Sequence, residues 1–324
     1  MRWGLLSTAM INGDLAAAAQ GSPEAEVVAV GSRELGRAEA HAREIGAARA
    51  YGSYDELLAD PDVDAIYVSV PNSLHVEWTI RALDAGKHVL CEKTFACRAA
   101  DAESAFDAAE RNGRLLTEGF MWRHHPQVAK LLDLVAGGAI GEVRALCASF
   151  SGAVFGPHDI RLKPELDGGA LTDVGCYCVH GLRALAGEPE RVYAEQRVGP
   201  TGVDLVLSAT MRFATGVVGT FDCGLELPER ARLEVVGDTG TIVLPDPWLA
   251  GKPSLELRRD GDVEQIGIEA TNPYRLELED FARAARGEKE PLIGRADVVG
   301  QARVIEALLA SAAGGEPVEV GTSG

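Results

Sequence analysis

From residue 1 to about residue 120 the chain alternates short, continuous apolar runs with stretches of helical periodicity. Few folds accept that pattern. Trp3–Leu6, Val27–Val30, Ala65–Val70, His88–Cys91 and Leu115–Thr117 are the apolar runs, as expected of strands covered on both faces. Between two of them, Ser73–Ala85 carries Val76, Ile80 and Leu83 at helical spacing, and Gly86 stands where a helix stops. Strands alternating with helices predict a parallel, doubly wound sheet over residues 1–121.

The pattern changes after Phe120. A helix from about Pro126 presents Val128, Leu131, Leu132 and Val135 and ends at Gly137-Gly138. Strands are then expected at 143–150, 192–197, 203–213, 217–222, 233–236 and 241–244. The clearest has Val203, Leu205, Leu207, Ala209, Met211 and Phe213 on one face and Asp204, Ser208, Thr210 and Arg212 on the other, so one sheet face is wet or meets a partner. Two helices close the chain, at about 273–286 and 295–313. The fold class is therefore α/β: a dinucleotide-type domain, then an α+β domain (122–324) with a large, mostly antiparallel, open-faced sheet.

The 324 residues include 31 Lys and Arg against 49 Asp and Glu, a net charge of −18, which argues against nucleic acid or an anionic membrane as partner. No apolar run reaches the roughly 20 residues of a membrane span, and the N-terminus lacks a signal-peptide layout, so a cytosolic location is expected. Six cysteines form no disulfide framework, and Cys176-x-Cys178 lacks metal-site spacing, so no metal is expected.

After the first strand, Ser7-Thr8-Ala9-Met10-Ile11-Asn12 occupies the place of a glycine-rich phosphate turn, with Ser7 and Ala9 at the first two glycine positions. Small residues permit backbone approach, and the Ser7 and Thr8 hydroxyls are candidate phosphate donors; an ordinary strand-to-helix turn is the plainer alternative. The second strand ends in Gly31-Ser32-Arg33, with Arg37 one turn on, where an enzyme for the non-phosphorylated cofactor places an acid. Ser32, Arg33 and Arg37 suit a 2′-phosphate and favour NADP over NAD, although exposed arginines also begin many surface helices.

Three further segments carry a pattern: Ala82 to Thr94 with Glu92-Lys93-Thr94, Gly119 to Pro126 with Trp122-Arg123, and Gly168 to Cys178 with Asp173 and Tyr177. Together with Ser7–Ile11 and Pro71-Asn72-Ser73-Leu74-His75, the chain resembles the Gfo/Idh/MocA oxidoreductases over nearly its whole length. The resemblance is to the branch of NADP-dependent xylose dehydrogenases, dimeric dihydrodiol dehydrogenases and glucose–fructose oxidoreductase. It implies a Rossmann domain, a sheet domain whose open face forms a homodimer or homotetramer contact, and a last helix packing back on the first domain. The family's E-K-P lysine falls on Lys93 and its D-x-x-x-H/Y helix on Asp173 and Tyr177. Thr94 replaces the proline, and His180 stands where relatives have Asn or Asp. Cofactor contacts are implied at Ser7, Thr8, Ala9, Met10, Ile11, Ser32, Arg33, Arg37, Pro71, Asn72, Leu74, His75, Glu92, Lys93, Trp122 and Arg123. Substrate contacts are implied at Lys93, Arg123, Phe155, His158, Arg161, Asp173 and Tyr177.

The chemistry of these groups is coherent. Moving a hydride to or from a carbinol carbon requires a proton acceptor or donor for its oxygen. Tyrosine, with an ordinary pKa near 10, becomes competent beside an ammonium such as Lys93, and Asp173, four residues from Tyr177, can orient a hydroxyl. Singly, Lys93 also reads as a surface lysine, Asp173 as a helix cap and Tyr177 as packing. The expectation is an NADP(H)-dependent oxidoreductase of a sugar or polyol. The alternatives are a non-catalytic cofactor sensor of the same fold and, more remotely, a zinc alcohol dehydrogenase.

Overall fold

The computed structural model describes residues 1–153, 156 and 158–321. The elements of the first part are β1 (Arg2–Leu6), α1 (Ile11–Gln20), β2 (Glu26–Gly31), α2 (Leu35–Ile45), β3 (Arg49–Tyr51), α3 (Tyr54–Leu58), β4 (Ala65–Val68), α4 (His75–Asp84), β5 (His88–Glu92), α5 (Ala99–Asn112) and β6 (Leu116–Gly119). Then come α6 (Pro126–Ala136), β7 (Val143–Ser151), α7 (Cys176–Ala186), β8 (Pro189–Val198), β9 (Asp204–Phe213), β10 (Val218–Gly224), β11 (Arg230–Gly237) and β12 (Thr241–Leu244). The chain closes with β13 (Ser254–Arg259), β14 (Asp262–Gly267), α8 (Pro273–Ala285), α9 (Arg295–Gly314) and β15 (Val318–Glu319).

Two compact units emerge. The first comprises residues 1–96, 100–124 and 272–299. Its six strands are all parallel, in the order β3-β2-β1-β4-β5-β6, the doubly wound arrangement. β4 is buried along its whole length, which is why its sequence is an unbroken apolar run. The C-terminal helix that belongs to this unit is α8. Asn272 caps it, accepting from the Tyr274 and Arg275 amides at 3.0 and 3.3 Å, and Pro273 occupies its first turn. Leu278 and Phe281 enter the core beside Leu5, Leu15 and Ala19, and the Phe281 ring lies 4.8 Å from that of Trp3. Each such side chain contributes about 1.5–3 kcal/mol by burial.

The second unit comprises residues 97–99, 125–271 and 300 onward. Its nine strands run β14-β13-β12-β11-β7-β10-β9-β8-β15, antiparallel except for the β7–β10 pair. On β9, Leu207, Ala209, Met211 and Phe213 are buried while Ser208, Thr210 and Arg212 are exposed, as the alternation requires. Asp204 departs from the wet face assigned to it: it is buried, next to the register irregularity between Arg197 and Val198. α7 packs on β7 and β10 and is buried from Cys176 to Arg183. The last helix straddles the partition: residues 295–299 of α9 group with the first unit, where Arg295 donates to Glu110 Oε1 at 2.8 Å and Asp107 Oδ1 at 2.7 Å. From Gly300, α9 groups with the second unit, where Gln301 Nε2 donates to the Cys176 carbonyl at 2.9 Å and Arg183 Nη1 donates to Gln301 Oε1 at 3.0 Å. All of α8 groups with the first unit. Among the described residues no helix is long and apolar enough to cross a membrane.

Candidate active site

In the first unit the expected cofactor residues follow the carboxyl ends of the parallel strands: Ser7 after β1, Ser32 after β2, Pro71 after β4, Lys93 after β5 and Trp122 after β6. Ligands of doubly wound sheets bind in that position. Ser7 has φ 147°, a backbone conformation suited to glycine, so the turn keeps a glycine-like geometry without the glycine. Its hydroxyl holds the turn together. It donates to the Ser69 carbonyl at 2.9 Å or to Ser69 Oγ at 2.8 Å, and accepts from the Ala9 amide at 3.0 Å. Asn12 Nδ2 donates to the Ser7 carbonyl at 2.9 Å. The Ser7 hydroxyl is thus spent inside the protein and does not serve a phosphate; what Ser7 contributes is backbone shape. No side chain among the described residues caps α1, and Met10 at its start is 77% exposed.

Arg37 Nη2 donates to Thr8 Oγ1 at 3.3 Å, joining the first turn to the start of α2. Burial raises the Tyr54 phenol above its ordinary value, and the Arg33 and Arg37 guanidiniums oppose the rise. Pro71, Asn72 and Leu74 form a short turn closed by the Leu74 amide donating to the Pro71 carbonyl at 2.9 Å. Ala9 and Ile11 are partly buried.

Lys93 is pinned by its backbone. Its amide donates to Glu92 Oε2 at 3.2 Å, and the Tyr67 hydroxyl donates to Glu92 Oε1. The Lys93–Thr94 peptide is cis. The next amide, of Phe95, donates to Glu118 Oε1 at 2.8 Å. His75, expected as a cofactor contact, is 1% exposed, with its ring nitrogens 2.8 Å from the Thr94 and Val70 carbonyls; it fastens the chain after Lys93 and does not face a ligand. Burial lowers its pKa to about 4, against the two carbonyls, which raise it. Glu277 is also buried, and burial, Glu92 and Asp280 together push its carboxyl well above the usual range. Trp122 is buried, with the Arg123 guanidinium 5.9 Å from its ring centre.

In the second unit Asp173 lies in a π-type turn, Leu171–Gly175, that runs directly into α7, and Tyr177 follows one turn on. Arg161, expected to meet substrate, is committed to carboxylates. Its Nε donates to Asp173 Oδ2 at 2.8 Å and its Nη1 to Asp159 Oδ1 at 3.2 Å. His158 is exposed on the same loop; Phe155 lies outside the described residues. Tyr177 is 6% exposed in an aromatic nest, edge-on to Phe150 at 5.3 Å and 6.1 Å from Trp248. Trp248 is itself fixed by its indole N–H, which donates to the Ser149 carbonyl at 2.9 Å. Gly181 makes room for that indole, since a Cβ there would stand 2.8 Å from Trp248.

Two family models match the chain: an oxidoreductase family with an NAD-binding Rossmann fold over residues 1–120, and the GFO/IDH/MocA C-terminal domain over residues 128–243. The chain belongs to the Gfo/Idh/MocA oxidoreductase family. One member it resembles is a D-xylose 1-dehydrogenase (NADP(+)) of Haloferax volcanii, 37% identical over 99% of this chain and 100% of that protein. A solved 3-ketoreductase of Actinomadura kijaniata, in complex with NADP and TDP-benzene, superposes with a TM-score of 0.91 at 32% identity, covering 96% of this chain and 97% of that one. An aldose-aldose oxidoreductase of Caulobacter crescentus, complexed with glycerol, gives a TM-score of 0.91 at 26% identity, covering 98% and 99%. In this Gfo/Idh/MocA member the residues that reading the sequence overlooked are Tyr67, Glu118, Phe150, Trp248 and Asp204. Each acts through contacts with residues far away in sequence, for which no local motif exists.

Proposed function

We propose that the protein is an NADP(H)-dependent oxidoreductase of a sugar or polyol, with Tyr177 as proton donor and acceptor, Lys93 as the ammonium that favours its phenolate, and Asp173 orienting a substrate hydroxyl. The observation that carries the proposal is the fixing of these groups. A lysine whose backbone is held through Glu92, Tyr67 and the chain at Thr94 follows β5, and a tyrosine held between Phe150 and Trp248 stands one turn from an arginine-bound aspartate. Immobilisation of this kind is what proton transfer at a set distance requires.

The first unit fits the phosphorylated cofactor. The glycine-like Ser7 turn and the uncapped start of α1 suit the pyrophosphate, and Ser32, Arg33 and Arg37 suit a 2′-phosphate. When bound, the nicotinamide supplies or accepts the hydride. In the reducing direction the Tyr177 hydroxyl gives its proton to the carbonyl oxygen while Lys93 hydrogen-bonds that oxygen; oxidation reverses both. Two relatives name NADP, and variants of the ketoreductase with an altered lysine and an altered tyrosine have been crystallised. The spacing between those two positions equals that between Lys93 and Tyr177.

The exposed face of the nine-stranded sheet, with Ser208, Thr210 and Arg212 on β9, supports contact between copies as a homodimer or homotetramer. The test of the activity is a panel of aldoses, polyols and keto-sugars followed by nicotinamide absorbance with both cofactors. Turnover of at least one class with NADP(H) preferred is expected. NADPH binding without turnover of any carbonyl or carbinol would favour the non-catalytic sensor.

A further inference from the structure

Resting on the catalytic reading of Asp173 and Tyr177, we infer that Asp204 is a positioning residue for the reaction: a buried carboxylate that clamps the start of the helical run carrying both. Asp204 is the first residue of β9, yet it turns into the protein and is 7% exposed. Its Oδ2 accepts from the Leu171 amide at 2.8 Å, at the first residue of the π-type turn. An acid at the opening of a helical segment satisfies amides with no partner of their own and meets the positive end of the backbone dipoles.

The chain is shaped to admit it. Gly169 has φ +127°, and a Cβ at that position would overlap Asp204 Oδ1. Only glycine allows both the backbone conformation and the approach of the carboxylate. The remaining bonds of the segment converge on the same point. The Gly169 amide donates to the Arg161 carbonyl at 2.9 Å, the Thr172 hydroxyl donates to the Asp167 carbonyl at 2.8 Å, and the Asp173 amide donates to the Gly169 carbonyl at 3.1 Å. Arg161 therefore holds Asp173 by its side chain and Gly169 by its backbone, while Asp204 holds the following residues to the sheet. Without the Asp204 bond the start of the turn loses its hydrogen-bonded tie to β9. An axial or rotational shift there moves Asp173 and Tyr177 together, and misplacement of about 1 Å in a proton-transfer geometry costs up to about a hundredfold.

The test compares Asp204→Ala, Asp204→Asn, Gly169→Ala and the double variant Gly169→Ala/Asp204→Ala in the full-length protein, well below each melting temperature. Asp204→Ala lowers kcat at least about tenfold, while the NADPH Kd by fluorescence stays within about twofold. Asp204→Asn, which keeps an acceptor for the Leu171 amide, restores kcat to within about threefold of the parent. Gly169→Ala reproduces the loss, and the double variant is no slower than the worse single one, the signature of one shared contact. A kcat for Asp204→Ala within twofold of the parent, or a loss that Asp204→Asn does not relieve, overturns the inference. Tyr177→Phe is measured alongside: if it keeps full activity, the catalytic reading itself fails, whereas an inactive Tyr177→Phe beside a fully active Asp204→Ala overturns only the clamp.

Discussion

The Arg161 guanidinium donates from Nε to Asp173 Oδ2 at 2.8 Å, and its Nη1 reaches back to Asp159 Oδ1 at 3.2 Å. One cation is thus shared between the carboxylate proposed to orient substrate and a carboxylate of the preceding loop. Both acids keep the guanidinium charged against the cost of its partial burial.

That relationship sets the first prediction. Arg161→Ala lowers kcat/KM for the sugar about 10- to 100-fold, because Asp173 loses a charged donor that helps to fix its orientation, and leaves cofactor affinity unchanged. Arg161→Lys recovers only part of the loss, since an ammonium cannot reproduce the fork between two carboxylates. Steady-state kinetics on the two variants check this; equal activity of Ala and parent would count against the role of the pair.

Arg33→Ala weakens NADP binding about tenfold or more and NAD binding little, because only the 2′-phosphate needs the guanidinium. Arg37→Ala does the same and also frees Thr8. Titration of both oxidised cofactors decides it, and equal losses would mean that Arg33 misses the phosphate.

Trp248→Ala destabilises the protein by about 3–5 kcal/mol, since a fully buried indole packed beside Phe150 and Tyr177 is removed. Trp248→Phe keeps most of the stability and still slows turnover, because the phenyl ring neither fills the nest nor bonds the Ser149 carbonyl. Denaturant melts and kcat, measured together, separate the two effects.

Burial pushes the Asp204 carboxyl up to about 6, against an ordinary value of 3.8. Between those values the folded chain holds a proton that the unfolded chain has released. The contribution of Asp204 to stability therefore grows as pH falls from above 6 towards 4, by up to about 3 kcal/mol. His75, lowered to about 4 from 6.5, acts with the opposite sign and loses stability as pH falls through that window. The difference in melting temperature between the parent and Asp204→Asn is expected to increase on acidification from pH 7 to 4. A pH-independent difference would show that Asp204 titrates normally.

Where burial writes itself into composition, the fold was legible. The apolar runs at β1, β2, β4 and β5 and the alternation along β9 announced both sheets. β3, only Arg49–Tyr51 and half-buried, has no such signature, and β13 and β14 carry charged faces that hide their alternation. The candidate site was legible as motifs, but the direction of each side chain was not. Ser7 and His75 turn inward onto backbone groups, and Asp204 breaks the period of its strand to reach the Leu171 amide, choices made by partners 62, 19 and 33 residues away.

The central claim is that the Tyr177 phenol moves the proton and Lys93 assists it. The most direct test is kcat for Tyr177→Phe and Lys93→Ala on the best sugar found in the panel, with NADPH affinity measured on the same samples. A loss of at least about a hundredfold is expected in each, with affinity within about threefold of the parent. Near-parental turnover in Tyr177→Phe would contradict it.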